Sequence, residues 1–257
     1  MEIHKEKYPK PDVVSPMIHR GRRVAEAFAH GCGANLYDNT HRGKYIATYG
    51  IKYTTDEAIK LSENFWYIDN GYYGDTREYF RICYNKFIDD GLREYPKDRF
   101  EKFNITFKDW RQKGDHIVIS PPSPVLQRFF GIGNDNDPGE WVKNLIKEIR
   151  QYTDRKIIVS TKYGDGISVF TKTPSKHPFE EAIKNAWALV TYNSNVMTKS
   201  LAEGIPVISL TEDRKIGSIS EIETPVMNRD FLSNLAYRQW NLDEIRSGQA
   251  WRELNEI

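Results

Sequence analysis

The order of apolar and polar residues in segment 187–210, WALVTYNSNVMTKSLAEGIPVISL, restricts the fold more than any other part of the chain. It predicts a buried strand at 188–191, a helix at 196–202 and a second buried strand at 206–210. Antiparallel strands need only a short hairpin between them, whereas parallel strands require a crossover such as this helix. The segment therefore predicts a βαβ unit within a parallel sheet.

The same alternation continues towards the N-terminus of this segment. Strands are predicted at 116–120 (HIVIS) and 156–160 (KIIVS), and helices after Asp137 and from Phe179. Continuous apolar runs of this kind are typical of parallel strands that are covered on both faces. We therefore predict an α/β fold whose parallel sheets carry helices on both faces.

The first half of the chain is less regular. Its predicted elements are strands at 44–49 and 65–68 and a helix at 22–30 that stops at Gly31. The aromatic stretch 72–109 has no clear pattern. We therefore predict two α/β domains, 1–110 and 111–257, and we assign the predicted C-terminal helices, 234–257, to the second domain.

Composition excludes several classes of protein. Lys and Arg number 37 and Asp and Glu number 36 among 257 residues, which argues against an overall polycation or an acidic tail. An apolar fraction of 39% with 13% aromatics is too high for a disordered chain. The sequence has no apolar run of the roughly 18 residues that a membrane span needs. Two cysteines and an N-terminus without an apolar stretch indicate a reducing, cytoplasmic location.

A polar turn follows the predicted strand at 188–191, where a helix begins. In open α/β sheets, ligands gather beyond the carboxyl ends of the strands. A helix N-terminus offers free N–H groups and partial positive charge, which suit a phosphate. Asn193, Ser194 and Asn195 add polar side chains at this point. The alternative is that Ser194 and Asn195 only cap the helix.

The run of strand, Asn-Ser-Asn, helix, Gly204-Ile205-Pro206 and strand resembles the donor-binding half of GT-B-fold glycosyltransferases. It is most similar to the capsular-polysaccharide and lipopolysaccharide type and to small enzymes encoded by bacteriophages. The residues from Leu235 to Trp251 resemble the terminal helices of that group. The resemblance implies two facing Rossmann-like domains, a nucleotide-sugar donor on the C-terminal one, and no cofactor. It also implies that Ser194 and Asn195 meet the donor phosphates.

Lys199 departs from the pattern of this family. Many GT-B enzymes carry a Glu at the corresponding position, five residues before the Gly of the Gly-x-Pro step, and it holds the donor ribose. A lysine cannot accept hydrogen bonds from ribose hydroxyls. Three interpretations stay open: Lys199 meets a phosphate, the ribose is held by other groups, or the side chain points to solvent.

Three further residues are candidates for the donor side. Ser123 follows the strand at 116–120, Lys162 follows the strand at 156–160, and His177 precedes the helix from Phe179. Lys162 would neutralise the leaving diphosphate. The alternatives are an ordinary surface lysine and a structural histidine.

The acceptor side needs a base that takes a proton from the attacking hydroxyl. Asp69 at a strand end and His19 before the first helix are the candidates for this role. Arg20 and Arg22 would bind an anionic acceptor or a diphosphate, and Tyr72 would stack on the acceptor. The alternatives are an Asp-Asn-Gly turn at Asp69 and a solvated basic turn formed by Arg20, Arg22 and Arg23.

No metal site is predicted. Asp135-Asn136-Asp137 forms a D-x-D sequence, but Asp137 is better used as the cap of the following helix. The histidines and cysteines lack zinc-site spacing, and Gly131-Ile132-Gly133 lacks the third glycine of a dinucleotide-binding motif.

These features predict a nucleotide-sugar-dependent glycosyltransferase. The acceptor would be a surface polysaccharide or lipid-linked sugar, or a hydroxymethylated base in phage DNA, in which case the enzyme would act in the host cytoplasm. Local basic clusters and many aromatics favour DNA, whereas the near-neutral charge opposes it. Two other classes stay open: a nucleotide-sugar epimerase of the same build and a non-catalytic binding module.

Overall fold

The computed structural model describes residues 7–51, 55–134, 136, 137, 139–161 and 178–256. The chain divides into two compact units. The first unit consists of Met1–Asp89, Tyr95–Phe103 and Asn234–Ile257, and the second consists of Asp90–Glu94 and Asn104–Ser233. Within the described residues, no helix is long and apolar enough to cross a membrane.

The strands are short, as is usual for small α/β units. In chain order they are β1 (Asp12–Val14), β2 (Leu36–Tyr37), β3 (Tyr45–Tyr49), β4 (Asn64–Asn70), β5 (Tyr79–Tyr84), β6 (His116–Ser120), β7 (Lys156–Val159), β8 (Ala186–Thr191), β9 (Val207–Ser209) and β10 (Gln239–Asn241).

The helices include one of 14 residues, and the others are shorter. They are α1 (His19–Cys32), α2 (Thr55–Leu61), α3 (Asp98–Glu101), α4 (Pro124–Phe130), α5 (Glu140–Ile149), α6 (Phe179–Ala182), α7 (Val196–Ala202), α8 (Leu232–Leu235), α9 (Leu242–Arg246) and α10 (Gln249–Glu256).

The sheet of the first unit has the strand order β10-β5-β4-β3-β1-β2. Strands β1 to β4 are parallel, and β5 and β10 extend the sheet with antiparallel pairs. The β1–α1–β2 and β3–α2–β4 connections run in opposite directions across the sheet. Since such crossovers are right-handed, α1 and α2 cover opposite faces.

The core of the first unit lies between its sheet and α1. Val24, Ala25 and Phe28 of α1 are buried against the sheet together with Trp66 of β4. Trp251 of α10 completes this core, with its ring 5.5 Å from Trp66 and 6.0 Å from Phe28. Aromatic side chains bury large apolar areas, so these contacts dominate the packing.

The predicted domain assignment of the C-terminal segment is corrected by this packing. The segment 234–257 belongs to the first unit rather than to the second. Its residues 239–241 form β10, which pairs with β5, and Trp240 is fully buried. Arg99 in the first unit binds both Glu244 and Glu253. The helical pattern of 234–257 gave no indication of β10, because three residues are too few to show a strand period.

The sheet of the second unit has the order β7-β6-β8-β9, and all its strands are parallel. Every residue of β6 and β8 is buried. Ile117 and Ile119 pack with α5 on one face, whereas Met197 and Leu201 of α7 are buried outside that cluster. The predicted α/β fold with parallel sheets and flanking helices is therefore confirmed.

Helix α1 runs past its predicted end at Gly31. It extends to Cys32, and Gly33 ends it in the left-handed conformation with φ of 62°. Gly31 instead allows the backbone of α1 to lie very close to the turn after α9. A Cβ atom at Gly31 would overlap the carbonyl oxygen of Ile245 and crowd Gly248. The missing side chain lets α1 and the turn after α9 touch through their backbones.

We predict that Gly31→Ala destabilises the protein by about 2 kcal/mol, because overpacking of a filled contact costs about 1–3 kcal/mol. Intrinsic helix propensity alone would predict the opposite sign, a gain of about 1 kcal/mol. Urea unfolding followed by circular dichroism measures the change. Glu26→Ala on the exposed side of α1 is the control and should change stability by less than about 0.5 kcal/mol. An increase in stability for Gly31→Ala would contradict the close contact.

Candidate functional site

The strand order of the second unit defines a candidate ligand-binding place. The connection after β6 leads to β7 on one side, and the connection after β8 leads to β9 on the other. Loops that leave neighbouring parallel strands in opposite directions open a crevice at their carboxyl ends. We call this place, formed by residues 120–123 and 192–195, the second-unit switch point.

The two loops of the second-unit switch point are held by local contacts. Thr191 donates a hydrogen bond from its hydroxyl to the carbonyl oxygen of Ser120 at 2.9 Å. Ser123 caps α4: its Oγ accepts from the amide of Leu126 at 3.4 Å, and Pro124 occupies the first helical position. At the other end of α4, the ring of Phe130 contacts Tyr192, with 5.2 Å between centroids.

The amides at the start of α7 are already bonded within their own turn. The amide of Val196 donates to Ser194 Oγ at 3.4 Å, and that of Met197 donates to the Ser194 carbonyl at 3.3 Å. Thr198 donates to the Asn195 carbonyl from both its amide and its hydroxyl. Since α7 has only seven residues, its dipole is also small. A ligand at this point therefore meets side chains more than free amides.

Asn193 stands out within the second-unit switch point. Its Oδ1 is buried and has no hydrogen-bond partner. Gln127 of α4 has the same property: its Oε1 is buried without a partner, while its Nε2 donates to the Pro122 carbonyl at 3.0 Å. Buried acceptors without a partner are rare and call for an explanation. The sequence pattern did not indicate Gln127, because a helix as short as α4 does not show which of its polar residues turns inward.

Lys199 lies against α6. Its Nζ is 2.9 Å from Glu180 Oε1, and both side chains are about half exposed. The hydrogen bond from Lys199 lowers the pKa of Glu180 below its ordinary value. The Lys199 ammonium therefore lies in a surface ion pair. Of the three interpretations of Lys199 that the sequence left open, this position agrees best with a side chain that points to solvent.

The remaining donor-side candidates divide into two groups. Lys162 and His177 lie outside the described residues. In the predicted D-x-D sequence, Asp137 Oδ1 accepts from the amide of Gly139 at 3.1 Å and Oδ2 binds Lys143 at 2.5 Å, at the start of α5. The described ranges contain no group of three His, Cys, Asp or Glu side chains that could hold a metal ion.

The first unit has a switch point of its own at the carboxyl ends of β1 and β3. The loop 15–18 after β1 leads into α1, and Gly50 and Ile51 follow β3. We call this place the first-unit switch point. His19 is the first residue of α1 and is exposed.

Arg20 is anchored at the first-unit switch point by neutral groups. Its Nη2 donates to Asn70 Oδ1 at 2.7 Å, and the Tyr49 hydroxyl donates to the same oxygen at 2.9 Å. The guanidinium lies 5.9 Å from the Tyr49 ring centroid and 5.6 Å from that of Phe80. No carboxylate of the described residues forms an ion pair with Arg20, so its charge is available to an anion.

Arg22 and Arg23 lie on the exposed side of α1. Arg22 binds Glu26 one turn along the helix at 2.9 Å. Arg23 donates to the carbonyl oxygen of Arg77 at 3.1 Å. This arrangement of Arg22 corresponds to the solvated basic turn that the sequence left open.

Asp69 points to the opposite sheet face from Asn70, since successive strand residues alternate. Its Oδ2 accepts from the Tyr67 hydroxyl at 2.9 Å and from Arg81 at 3.0 Å. Burial is the largest influence on Arg81 and opposes its charge, but Asp69 together with Tyr72, Tyr67 and Cys83 raises the pKa of the guanidinium above its ordinary value. Burial and then the charge of Asp69 raise the pKa of Tyr67 well above its ordinary value. The carboxylate is therefore held in a polar cluster on the face away from His19 and Arg20.

Tyr72 belongs to the same interior region. It is 6% exposed, and its hydroxyl accepts from the amide of Asp89 at 2.8 Å. Gln239 of β10 accepts a hydrogen bond from the Tyr72 amide. The predicted stacking of Tyr72 on an acceptor does not agree with this burial. The run of aromatic residues in the sequence suggested a binding role for Tyr72. It did not show that Tyr72 is buried or that Gln239 of β10 binds its backbone.

No protein-family model and no curated protein matches the sequence of this chain. Solved structures do match. The Thermosulfurimonas dismutans KpsC, beta Kdo 2,7 transferase, aligns over 95% of this chain and 100% of its own, with 9% identity and a TM-score of 0.50. The Thermosulfurimonas dismutans KpsC, beta Kdo 2,4 transferase, aligns over 95% and 99%, with 11% identity and a TM-score of 0.46. The first likeness shows a shared α/β fold.

We predict that Asp69→Asn lowers the free energy of unfolding by about 3 kcal/mol, because it leaves the buried Arg81 without its counter-charge. Chemical denaturation measures the loss. Asp75→Asn is the matched control, because the Asp75–Arg77 pair is exposed and should contribute little. An unchanged stability of Asp69→Asn would show that the carboxylate is solvated and open to substrate.

We predict that Cys83 in the folded protein does not react with a thiol reagent at pH 8. Burial, and then the charge of Asp89, raise the pKa of this thiol to about 11, so only about one molecule in a thousand carries the thiolate. Cys32 is also buried. The absorbance of Ellman's reagent should show both thiols only after denaturation. Rapid labelling of the native protein, absent in Cys83→Ala, would contradict the closed packing of this sheet face.

Proposed function

We propose that this protein is a glycosyltransferase that moves a sugar from a nucleotide-sugar donor to a hydroxyl group of a sugar acceptor. The proposal is supported by the second-unit switch point, where the loops that carry Ser123 and Asn193-Ser194 follow the neighbouring strands β6 and β8. A fold shared with a sugar transferase supports the same conclusion.

The second unit binds the donor in this proposal. Breaking the bond between sugar and phosphate leaves negative charge on the phosphate, which hydrogen-bond donors stabilise in a preorganised site. Ser194 Oγ accepts from the Val196 amide, a bond that does not use the hydroxyl proton, so this proton can be donated to a phosphate oxygen. Lys162 and His177 are additional candidates for stabilising the negative charge on the leaving phosphate.

The first unit binds the acceptor. His19 is the better candidate for the base, because it is exposed at the first-unit switch point and Arg20 lies beside it. Asp69 is less suited, since its oxygens already accept hydrogen bonds from Tyr67, Arg81 and the Asn70 amide. The charge of Arg20 would hold an anionic group of the acceptor.

A sugar acceptor fits the comparisons better than DNA. The similar structure with a TM-score of 0.50 is a transferase of Kdo, and neither reported structure is named for an action on DNA. Nucleotide-activated Kdo is therefore the first donor to test, followed by other nucleotide sugars.

We predict nucleotide release that requires both a nucleotide sugar and an oligosaccharide acceptor. The purified chain is incubated with nucleotide-activated Kdo and a Kdo-containing oligosaccharide, and the products are separated by chromatography and mass spectrometry. Ser194→Ala should reduce turnover at least tenfold, because one hydrogen bond to the leaving group contributes about 1.5–3 kcal/mol when charge develops.

Controls separate this activity from the other classes. Ser220→Ala, at an exposed residue of the single 3-10 turn 219–221, should leave turnover unchanged. A donor that is converted to a new epimer without acceptor would indicate an epimerase. A donor that binds but is never consumed with any acceptor would indicate a binding module. Transfer to hydroxymethylated DNA and to no oligosaccharide would contradict the proposed acceptor.

A further inference from the structure

The side chain of Asn193 makes no hydrogen bond in the structure. It lies at the second-unit switch point, the kind of place where α/β folds bind ligands. Its Oδ1 is buried and has no partner, and the structure gives its side chain no hydrogen bond. It follows Tyr192 directly at the end of β8, within the second-unit switch point. A buried acceptor without a partner lowers the stability of the protein, and a ligand that donates a hydrogen bond to it would offset this loss.

The chemistry of Asn193 Oδ1 selects one part of a nucleotide. The oxygen of an amide only accepts hydrogen bonds. An ionised phosphate has no proton to donate, whereas the hydroxyls of ribose do. The oxygen is therefore suited to the nucleoside end of the donor rather than to its phosphate groups.

The surroundings of Asn193 agree with a neutral, flat ligand. The rings of Tyr192 and Phe130 contact each other at 5.2 Å, and both are partly buried. Glu212 and Asp213 lie close enough to Tyr192 that, after burial, their charges raise the pKa of its hydroxyl. Carboxylates at this side of the site disfavour phosphate and leave uncharged groups as the better occupants.

Lys199 occupies the position on α7 where a Glu would accept hydrogen bonds from the ribose of a donor nucleotide. The ammonium cannot accept a hydrogen bond, and it is paired with Glu180 at 2.9 Å. Another acceptor must therefore take this role if the second unit binds a ribonucleotide.

We propose that Asn193 Oδ1 accepts a hydrogen bond from a ribose hydroxyl of the donor nucleotide, and that Tyr192 and Phe130 form the apolar wall beside that nucleoside. This inference rests on the proposed function. It assigns Asn193 to recognition of the sugar of the nucleotide, and it leaves the phosphate to Ser194 and its neighbours.

The test uses the full chain and isothermal titration calorimetry. The four ribonucleoside 5′-monophosphates and 5′-diphosphates are titrated first, and the tightest of them is then compared with its 2′-deoxy and 3′-deoxy forms. Removal of the recognised hydroxyl should weaken binding to the wild type about tenfold, which corresponds to about 1.4 kcal/mol. Asn193→Leu, of similar volume, should bind the ribonucleotide and the deoxynucleotide with equal affinity.

Two controls keep a folding defect from being mistaken for a loss of recognition. Asn144→Ala removes an exposed asparagine of α5 and should preserve the discrimination between the two nucleotides. Asn193→Leu should unfold at the same temperature as the wild type or higher, because its oxygen has no partner to lose in the empty protein. A fall in its unfolding temperature would show that Asn193 has a structural role and would overturn the inference.

The outcomes separate this inference from the proposed function. Equal affinity of the wild type for the ribonucleotide and both deoxy forms overturns the role of Asn193 alone, since nucleotide binding itself stands. Discrimination that persists in Asn193→Leu has the same meaning. A selection among bases that depends on their amino group, without a deoxy effect, also overturns the ribose assignment. If no nucleotide binds, both the inference and the proposed function fail.

Discussion

The parallel pairing of β6 with β8 is the constraint on which the candidate site depends. All residues of both strands are buried, so their register is fixed by apolar packing on two faces. Their carboxyl ends therefore lie side by side, and the connections that follow leave in opposite directions because β7 and β9 flank the pair on opposite sides. The polar loops 120–123 and 192–195 are brought together by this geometry, although about seventy residues separate them in the chain.

The first unit has a six-stranded mixed sheet, and a switch point of its own lies at the carboxyl ends of β1 and β3. Asp69 and Asn70 are neighbours in β4, yet one belongs to a polar cluster with Tyr67 and Arg81 and the other positions Arg20 at the switch point. The alternation of side chains along β4 thus separates the polar cluster around Asp69 from the contact that positions Arg20, the proposed acceptor-binding residue. The C-terminal segment adds β10 to the edge of this sheet beside β5, and its Trp240 and Trp251 join the core on the face covered by α1.

Prediction from the sequence was accurate where the periods were long and regular. The strands of the second unit were predicted correctly because buried parallel strands are continuous apolar runs. Helix α5 was predicted correctly because it is strongly amphipathic, with its apolar residues on one face. The predicted roles of Asp69 and Tyr72 rested on residue type alone, and the residues around them are contributed by β5 and β10. Contacts between distant segments leave no local pattern, which is why neither Arg81 nor Gln239 was connected with these residues.

The sequence by itself determined the α/β class, the order of strands and helices in the second unit, and the polar turn after β8. Local hydrophobic period and turn chemistry carry that information. Only the tertiary structure decided which strands are neighbours, which unit the C-terminal segment joins, and that Asn193 Oδ1 is buried without a partner. Those properties depend on packing and hydrogen bonds between segments far apart in the chain, and no single segment contains them.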